Sequence, residues 1–162
     1  MFKIKLSILL LISSFLLLSC NNGKIHQGNK YSLSYIGGGI DGLVLKNYLI
    51  SHLKASNLYD QNSRYILNAE VNHNSNIYIT NIDNTSDREK ITTFFSANIL
   101  DQRNECIIFE YQRNISQFYI FAPNEKFLSN KKAIKEIKQS NTEFLIKDFV
   151  NRLNFSNDEC TK

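Results

Sequence analysis

The sequence has few of the residues that define specialised protein classes. It contains 3 cysteines, 6 glycines and 1 proline in 162 residues, and no heptad pattern runs along its length. These shortages exclude a disulfide-dense scaffold, a collagen-like fibre and a coiled coil. With 43% hydrophobic residues and a net charge of +4, the composition is that of one compact domain around a medium-sized core.

Motifs for catalysis and metal binding are also missing. The sequence has no G-x-S-x-G or H-E-x-x-H motif, and no paired carboxylates that would indicate acid–base chemistry. Its histidines, His26, His52 and His73, have no second ligand at a metal-binding spacing. We therefore expect no enzymatic activity, no cofactor and no metal.

A glycine-rich turn partly matches a dinucleotide-binding loop. Gly37, Gly39 and Gly42 have the G-x-G-x-x-G spacing, and Asp60 follows. However, the preceding strand alternates with serine, Asp60 comes before the second strand, and the later strands form an antiparallel meander. We interpret the glycines as a flexible strand-to-helix turn.

The N-terminus has the pattern of an export signal. Lys3 and Lys5 precede an apolar stretch over 6–18 that is too short to cross a bilayer. Leu17-Leu18-Ser19-Cys20 resembles a bacterial lipobox, whose cysteine becomes the acylated N-terminus. We expect a signal peptide over 1–19, lipid such as palmitate on Cys20, and a polar tether over 20–30. An ordinary secretory peptide ending near a cysteine is the alternative.

The lipobox-like segment also implies a location for the protein and a net charge for the mature chain. Inner-membrane retention usually requires Asp after the lipidated cysteine, whereas this chain has Asn21, so we expect the periplasmic side of the outer membrane. Removing 1–19 takes away two lysines and lowers the net charge from +4 to +2. A nearly balanced charge argues against a general nucleic-acid binder.

Residues 31–162 are predicted to form a single domain. Period-two alternation predicts a strand from Tyr31, and Asp41 is the expected cap of a helix with a Leu45, Leu49 and Leu53 stripe. Three strands follow, with apolar positions over 65–71, 91–99 and 107–111, and a ragged extension at 77–79. Ser129 or Asn130 caps a long helix with the apolar stripe Ile134, Ile137, Leu145, Phe149 and Leu153.

This order, β-α-β-β-β-α, predicts an α+β fold. Strand one must pair parallel to a neighbour through the helical crossover, whereas the last three strands pair antiparallel. The expected architecture is a two-layer sandwich, in which a four-stranded mixed sheet carries both helices on one face. The other face is expected to be open and polar.

Two cysteines remain beyond Cys20. Cys106 opens strand four and Cys160 follows the last helix, which runs back antiparallel to that strand, so the topology brings both to one end. The export signal implies an oxidising compartment. The two cysteines could form a disulfide or remain free thiols. Both possibilities stay open because Cys106 is predicted on the same face of strand four as Glu110 and on the opposite face from Phe109.

The same topology gathers basic residues at the opposite end. They come from the start of strand three, the end of strand four, the connection and the start of the last helix: Arg88, Lys90, Arg113, Lys126, Lys131 and Lys132. Asp101, Glu105, Asp158 and Glu159 are expected at the other end, beside the tether. Such a basic pole favours phosphates or acidic sugars; a solvated lysine-rich surface is the alternative.

The whole pattern resembles the LPS-assembly lipoproteins of the LptE type. The resemblance covers the leucine-striped first helix, the strand over 65–69, the segment from Ile91 to Asp101 and a helix closing over 149–153. It implies a non-enzymatic lipoprotein that partners a large outer-membrane β-barrel and binds lipopolysaccharide. An auxiliary lipoprotein of a periplasmic ABC-type lipid transport system is the main alternative. A periplasmic hydrolase is the other, and it would need a pocket with perturbed ionisable groups.

Overall fold

The structure is a computed structural model that describes residues 29–79, 87–120 and 127–153, together with Cys160. The expected signal peptide over 1–19, Cys20 and most of the tether lie outside the described residues. Lys126, Asp158 and Glu159 lie outside them as well. None of the helices in the described ranges is long and apolar enough to cross a membrane.

The elements follow the predicted order. They are β1 (Tyr31–Gly37), α1 (Gly39–Ala55), β2 (Tyr65–Ile79), β3 (Asp87–Asp101), β4 (Cys106–Ile120) and α2 (Phe127–Leu153). The expected cap at Asp41 is wrong, because α1 begins at Gly39 and its N-cap is Gly38. Asp41 lies in the first turn of α1 instead, where the positive end of the helix dipole stabilises its carboxylate.

The four strands form one mixed sheet in the order β1-β2-β3-β4. β1 pairs parallel with β2, starting at Tyr31 opposite Tyr65, while β2, β3 and β4 pair antiparallel. Both helices pack on the sheet and on each other. The predicted class, an α+β two-layer sandwich with a four-stranded mixed sheet, is confirmed.

The core lies between the helices and one face of the sheet. Leu45, Leu49 and Leu53 of α1 are fully buried, because their four-residue spacing places them on one side of the helix. In α2, the corresponding buried stripe consists of Leu145, Phe149 and Leu153. The sheet contributes the apolar side chains of alternate residues, among them Leu67, Val71, Phe95 and Ile99.

Two glycines allow the close approach of α1 to the sheet. Gly38 has a φ of 111°, and a Cβ there would lie 2.6 Å from the Val71 carbonyl oxygen. A Cβ on Gly42 would lie 2.7 Å from the Gly37 carbonyl oxygen. The glycine spacing is therefore explained by the turn and by helix–strand packing, with no need for a phosphate.

The last three strands are longer than the sequence pattern predicts. β2, β3 and β4 each have 15 residues, whereas β1 has 7. β1 ends opposite Glu70, so the remainder of β2 continues with β3 and β4 as a three-stranded extension. At about 3.3 Å per residue, these strands span roughly 50 Å.

Candidate functional site

The far end of the extension carries an apolar and cationic surface on the open face of the sheet. The register aligns Tyr78, Arg88 and Ile120 in one row across the strands, and Lys90 and Phe118 in the next. We call these five residues the distal patch. Its three apolar side chains are exposed, Tyr78 by 44%, Phe118 by 62% and Ile120 by 60%.

The aromatic rings of the distal patch are arranged with a cation beside them. The rings of Tyr78 and Phe118 meet edge to face, with centroids 6.0 Å apart. The Lys90 ammonium lies 6.0 Å from the Phe118 ring centroid. In the part of the chain that the structure describes, no carboxylate lies within ion-pair distance of Arg88 or Lys90. Among the described residues, the Lys90 ammonium thus has an aromatic ring and not a carboxylate as its neighbour.

Lys131 and Lys132 lie at the same end of the domain but on its helical side. The Tyr119 hydroxyl donates a hydrogen bond to the Asn130 side chain, which places the start of α2 beside the end of β4. Lys132 faces Glu136 at 3.8 Å along the helix. The predicted basic pole is thus split between the two faces of the extension.

Arg113 does not belong to this end, which corrects the expectation. β4 continues for seven residues beyond it, and Arg113 pairs with Phe95 in the register. Its guanidinium donates a 2.7 Å hydrogen bond to Asp148 of α2, which also accepts bonds from the Tyr111 hydroxyl and from Arg152. Burial raises the pKa of Asp148, but these hydrogen bonds outweigh it and the net pKa is lowered. Arg113 therefore joins β4 to α2.

The opposite end of the domain contains the start of β1 and the two cysteines. Cys106 and Cys160 form a disulfide with Cα atoms 5.7 Å apart. Asp101 is 2% exposed, and its carboxylate accepts hydrogen bonds from the Arg103 amide and the Asn104 side chain. Asp101 thus stabilises the β3–β4 turn and is not part of an exposed acidic surface. From Asp101 to Arg88 the strand extends about 40 Å.

A polar network lies between the helices and the sheet. The His73 side chain is 3% exposed, and one ring nitrogen lies 2.9 Å from the Thr93 hydroxyl. That hydroxyl also accepts a hydrogen bond from Asn141 of α2, at 3.1 Å. The other ring nitrogen faces the Asp41 carboxylate at 3.8 Å. His73, which sequence reasoning left without a role, joins both helices to the sheet.

We expect the free energy of unfolding to fall as the pH drops below about 7. Burial lowers the pKa of His73 below 6.5; Asp41 opposes this shift and Lys138 adds to it. His73 therefore binds a proton more readily in the unfolded chain than in the folded one. The loss of stability is complete once the pH falls below the folded-state pKa of His73. In urea unfolding at a series of pH values, the free energy of unfolding of His73→Gln should depend less on pH than that of the unmodified chain. His52→Gln should keep the pH dependence of the unmodified chain.

Sequence reasoning missed the apolar half of the distal patch. The segment over 112–120 does not alternate apolar and polar residues, so the pattern predicts an end of strand four past Arg113 but gives no reason to extend the strand to Ile120. The available signal was the β-branched and aromatic content of Ile115, Phe118, Tyr119 and Ile120. Within the described residues, no group of three His, Cys, Asp or Glu side chains could hold a metal ion.

Comparison with known proteins provides fold relatives. No family model matches the chain, and the search of curated proteins finds no match. A Caulobacter crescentus protein assigned as a lipoprotein superposes with a TM-score of 0.56 at 14% identity, covering 77% of this chain and 88% of that one. Rare lipoprotein B of Shewanella oneidensis gives 0.53 at 12%, covering 76% and 96%.

A minor lipoprotein of Acinetobacter baumannii is also similar. It superposes with a TM-score of 0.51 at 13% identity, covering 78% of this chain and 93% of that one. The fold is shared with bacterial lipoproteins. At these identities the likeness establishes the architecture of the domain alone.

Proposed function

We propose that this chain is a lipid-anchored lipoprotein on the periplasmic side of the outer membrane. In this proposal it partners a large β-barrel in lipopolysaccharide assembly and performs no catalysis. The observation that carries the proposal is the distal patch, which lies about 40 Å along the sheet from the start of β1. The lipobox-like segment before Cys20 and the lipoprotein fold support it.

The chemistry of the distal patch suits a phosphorylated, acylated ligand. Arg88 and Lys90 can donate charge-assisted hydrogen bonds to phosphate oxygens. The neighbouring Tyr78, Phe118 and Ile120 offer apolar contact area for acyl chains, whose burial contributes about 0.8 kcal/mol per methylene. Lipopolysaccharide combines both chemistries in one molecule. A tether at the β1 end would leave the distal patch pointing away from the anchor.

The second candidate is an auxiliary subunit of a periplasmic ABC-type lipid transport system. The same pairing of cations and exposed rings would accept other anionic lipids, so the distal patch also favours this role. The two candidates differ in their partner, because one requires an outer-membrane barrel and the other requires inner-membrane transporter subunits.

A crosslinked pull-down of the tagged full chain from native membranes tests the proposal. We expect a stoichiometric outer-membrane β-barrel, identified by mass spectrometry. Recovery of inner-membrane transporter subunits would replace the proposal with the second candidate. Failure to recover any membrane partner, with the crosslinked protein itself recovered, would contradict both.

The lipid anchor makes a separate prediction. Cys20→Ala should move the protein from the membrane fraction to the soluble fraction, because two or more acyl chains anchor a protein stably and their loss removes that energy. Fractionation followed by immunoblotting measures the shift, and Asn21→Ala serves as the control that should stay with the membrane. A Cys20→Ala protein that remained fully membrane-bound would rule out lipid anchoring.

Lipopolysaccharide binding should depend on the two cations of the distal patch. The double variant Arg88→Glu/Lys90→Glu is expected to raise the Kd for purified lipopolysaccharide about tenfold or more, equivalent to at least about 1.4 kcal/mol. The difference should shrink as salt is added, because exposed charges are screened.

The matched control for this measurement is Lys46→Glu/Lys54→Glu. It makes the same change in net charge on α1, away from the distal patch, and should change the Kd far less. Equal weakening by both double variants would mean that only net charge matters. The distal patch would then be a solvated surface.

A further inference from the structure

A second surface lies midway along the open face, between β1 and β4. It is a shallow depression with a volume of about 500 Å³, within the range of small-molecule sites. The register arranges its floor in two rows across β2, β3 and β4. One row is Asn68, Asn98 and Glu110, and the other is Glu70, Ser96 and Gln112. We call this surface the mid-sheet depression.

Hydrogen bonds hold the amides of the first row in place. The Tyr35 backbone amide donates to the Asn68 side-chain oxygen at 3.2 Å, and the Asn68 amide nitrogen donates to the Asn98 side-chain oxygen at 3.0 Å. The Asn98 amide nitrogen remains as a donor toward the depression. Glu70, Glu110 and Gln112 are exposed, so planar donors and acceptors stand side by side on a rigid sheet.

Aromatic rings border the polar floor on two sides. Tyr35, which is 62% exposed, lines the depression beside β1. Phe94, 43% exposed, lines an adjoining hollow that shares Glu70, Ser96 and Gln112 with the depression. Such rings provide flat apolar contacts next to polar groups. The combination suits a ligand with both hydroxyl groups and C–H faces.

The charges define the ligand further. Glu70 and Glu110 are the carboxylates of the depression, and none of the described residues that line it is a cation, so an anionic ligand is disfavoured. The backbones of Glu70 and Glu110 stand on β2 and β4, two strand spacings or about 10 Å apart, and within the described residues no group of three His, Cys, Asp or Glu side chains could hold a metal ion. Adjacent hydroxyls of a sugar, each a donor and an acceptor, match carboxylates and amides. We propose that the mid-sheet depression binds a neutral saccharide.

This site goes beyond the proposed function and does not require it. A neutral saccharide could be the uncharged sugar part of a glycolipid or a free periplasmic sugar, and both present the same hydroxyl chemistry. The depression lies between the start of β1 and the distal patch. A glycolipid held at the distal patch and a sugar held in the depression would therefore occupy different rows of one sheet.

Titration calorimetry with the full chain tests the site. The probes are maltotriose, cellotriose and a neutral core oligosaccharide of lipopolysaccharide, freed of lipid, phosphate and acidic sugars, with trigalacturonate as the acidic comparison. We expect saturable binding of at least one of the first three at millimolar concentration. Preference for the core oligosaccharide would identify a glycolipid as the source, and preference for a simple trisaccharide would identify a free sugar.

Variants separate this site from the rest of the sheet. Tyr35→Ala and Gln112→Ala should each raise the Kd about tenfold, a change of about 1.4 kcal/mol. Gln117→Ala replaces the same residue type as Gln112→Ala outside the depression and should leave the Kd unchanged. Glu70→Gln/Glu110→Gln should increase the affinity for trigalacturonate, because it removes the negative charge and keeps planar hydrogen-bonding groups.

Three outcomes would overturn the proposal. They are no saturable binding of any neutral probe, a Kd that Tyr35→Ala and Gln112→Ala leave unchanged, and tighter binding of trigalacturonate than of every neutral probe by the unmodified chain. The readout is independent of the barrel partner, and Arg88→Glu/Lys90→Glu should not alter the sugar Kd. Failure of the proposed function can thus be told apart from failure of this site.

Discussion

Phe149→Ala is expected to lower the free energy of unfolding by about 3–5 kcal/mol. Phe149 is fully buried in α2, and its ring contacts Phe95, Phe109 and Tyr111 with centroids 5.4–6.0 Å apart. Truncation would remove buried apolar surface, leave a cavity and break three aromatic contacts between α2 and the sheet. Against a total stability of about 5–15 kcal/mol for a typical domain, this is a large loss.

The control lies five residues away on the same helix. Phe144 is 52% exposed, so Phe144→Ala should change stability by no more than about 0.5 kcal/mol. Urea unfolding followed by circular dichroism measures both variants. Similar losses for Phe144→Ala and Phe149→Ala would contradict the packing of α2 against the sheet.

Loss of the disulfide is the second large effect. Cys106 and Cys160 are 54 residues apart in the sequence, and the loop-closure model for a crosslink of that span gives a stabilisation of about 4 kcal/mol. Cys106→Ala/Cys160→Ala should therefore be destabilised by up to about that amount. The crosslink restrains the unfolded chain and ties Cys160, which follows α2, to Cys106 at the start of β4.

Reduction of the unmodified chain provides the matching measurement. Treatment with dithiothreitol should destabilise the unmodified chain to the level of the double variant and leave the variant unchanged. Alkylation without reductant should label neither Cys106 nor Cys160. Full labelling of both cysteines in the folded protein would show that they are free thiols.

The unequal strand lengths explain how one domain can present separate surfaces. Because β1 stops opposite Glu70, the extension of β2, β3 and β4 reaches past the main core. On one side it is covered by the first half of α2, where Asn130 accepts from Tyr119 and Asn141 donates to Thr93. On the other side its side chains remain exposed, and these form the distal patch.

Three features could be predicted from the sequence because they depend on local periodicity. The leucine spacing of α1 and the Leu145, Phe149 and Leu153 stripe of α2 mark the faces that must be buried. The alternation in the first half of β2 and in β3 marks strands with one buried face. In β1 the register shifts between Leu33 and Ile36, and Tyr35 is 62% exposed, so alternation predicted the strand but not its buried face. Together with the rule on parallel crossovers, these patterns determine the element order and the mixed sheet.

The length of the extension depends on pairing between distant segments. Residues over 72–79 carry the run His73-Asn74-Ser75-Asn76, which has no apolar alternation, yet they form a strand because residues of β3 lie opposite and satisfy their backbone groups. The same pairing continues β4 to Ile120. Because β4 continues past Arg113, this residue lies in the middle of the strand. Its guanidinium binds Asp148 and does not contribute to the predicted basic pole.

The sequence by itself determined the fold class, the two helix faces and the order of the strands, because a buried face must repeat with the period of its element. Only the tertiary structure decided which polar and aromatic side chains share a row on the open face. Such rows depend on strand register, which is set by hydrogen bonds between residues far apart in the chain. The distal patch and the mid-sheet depression are both products of that register.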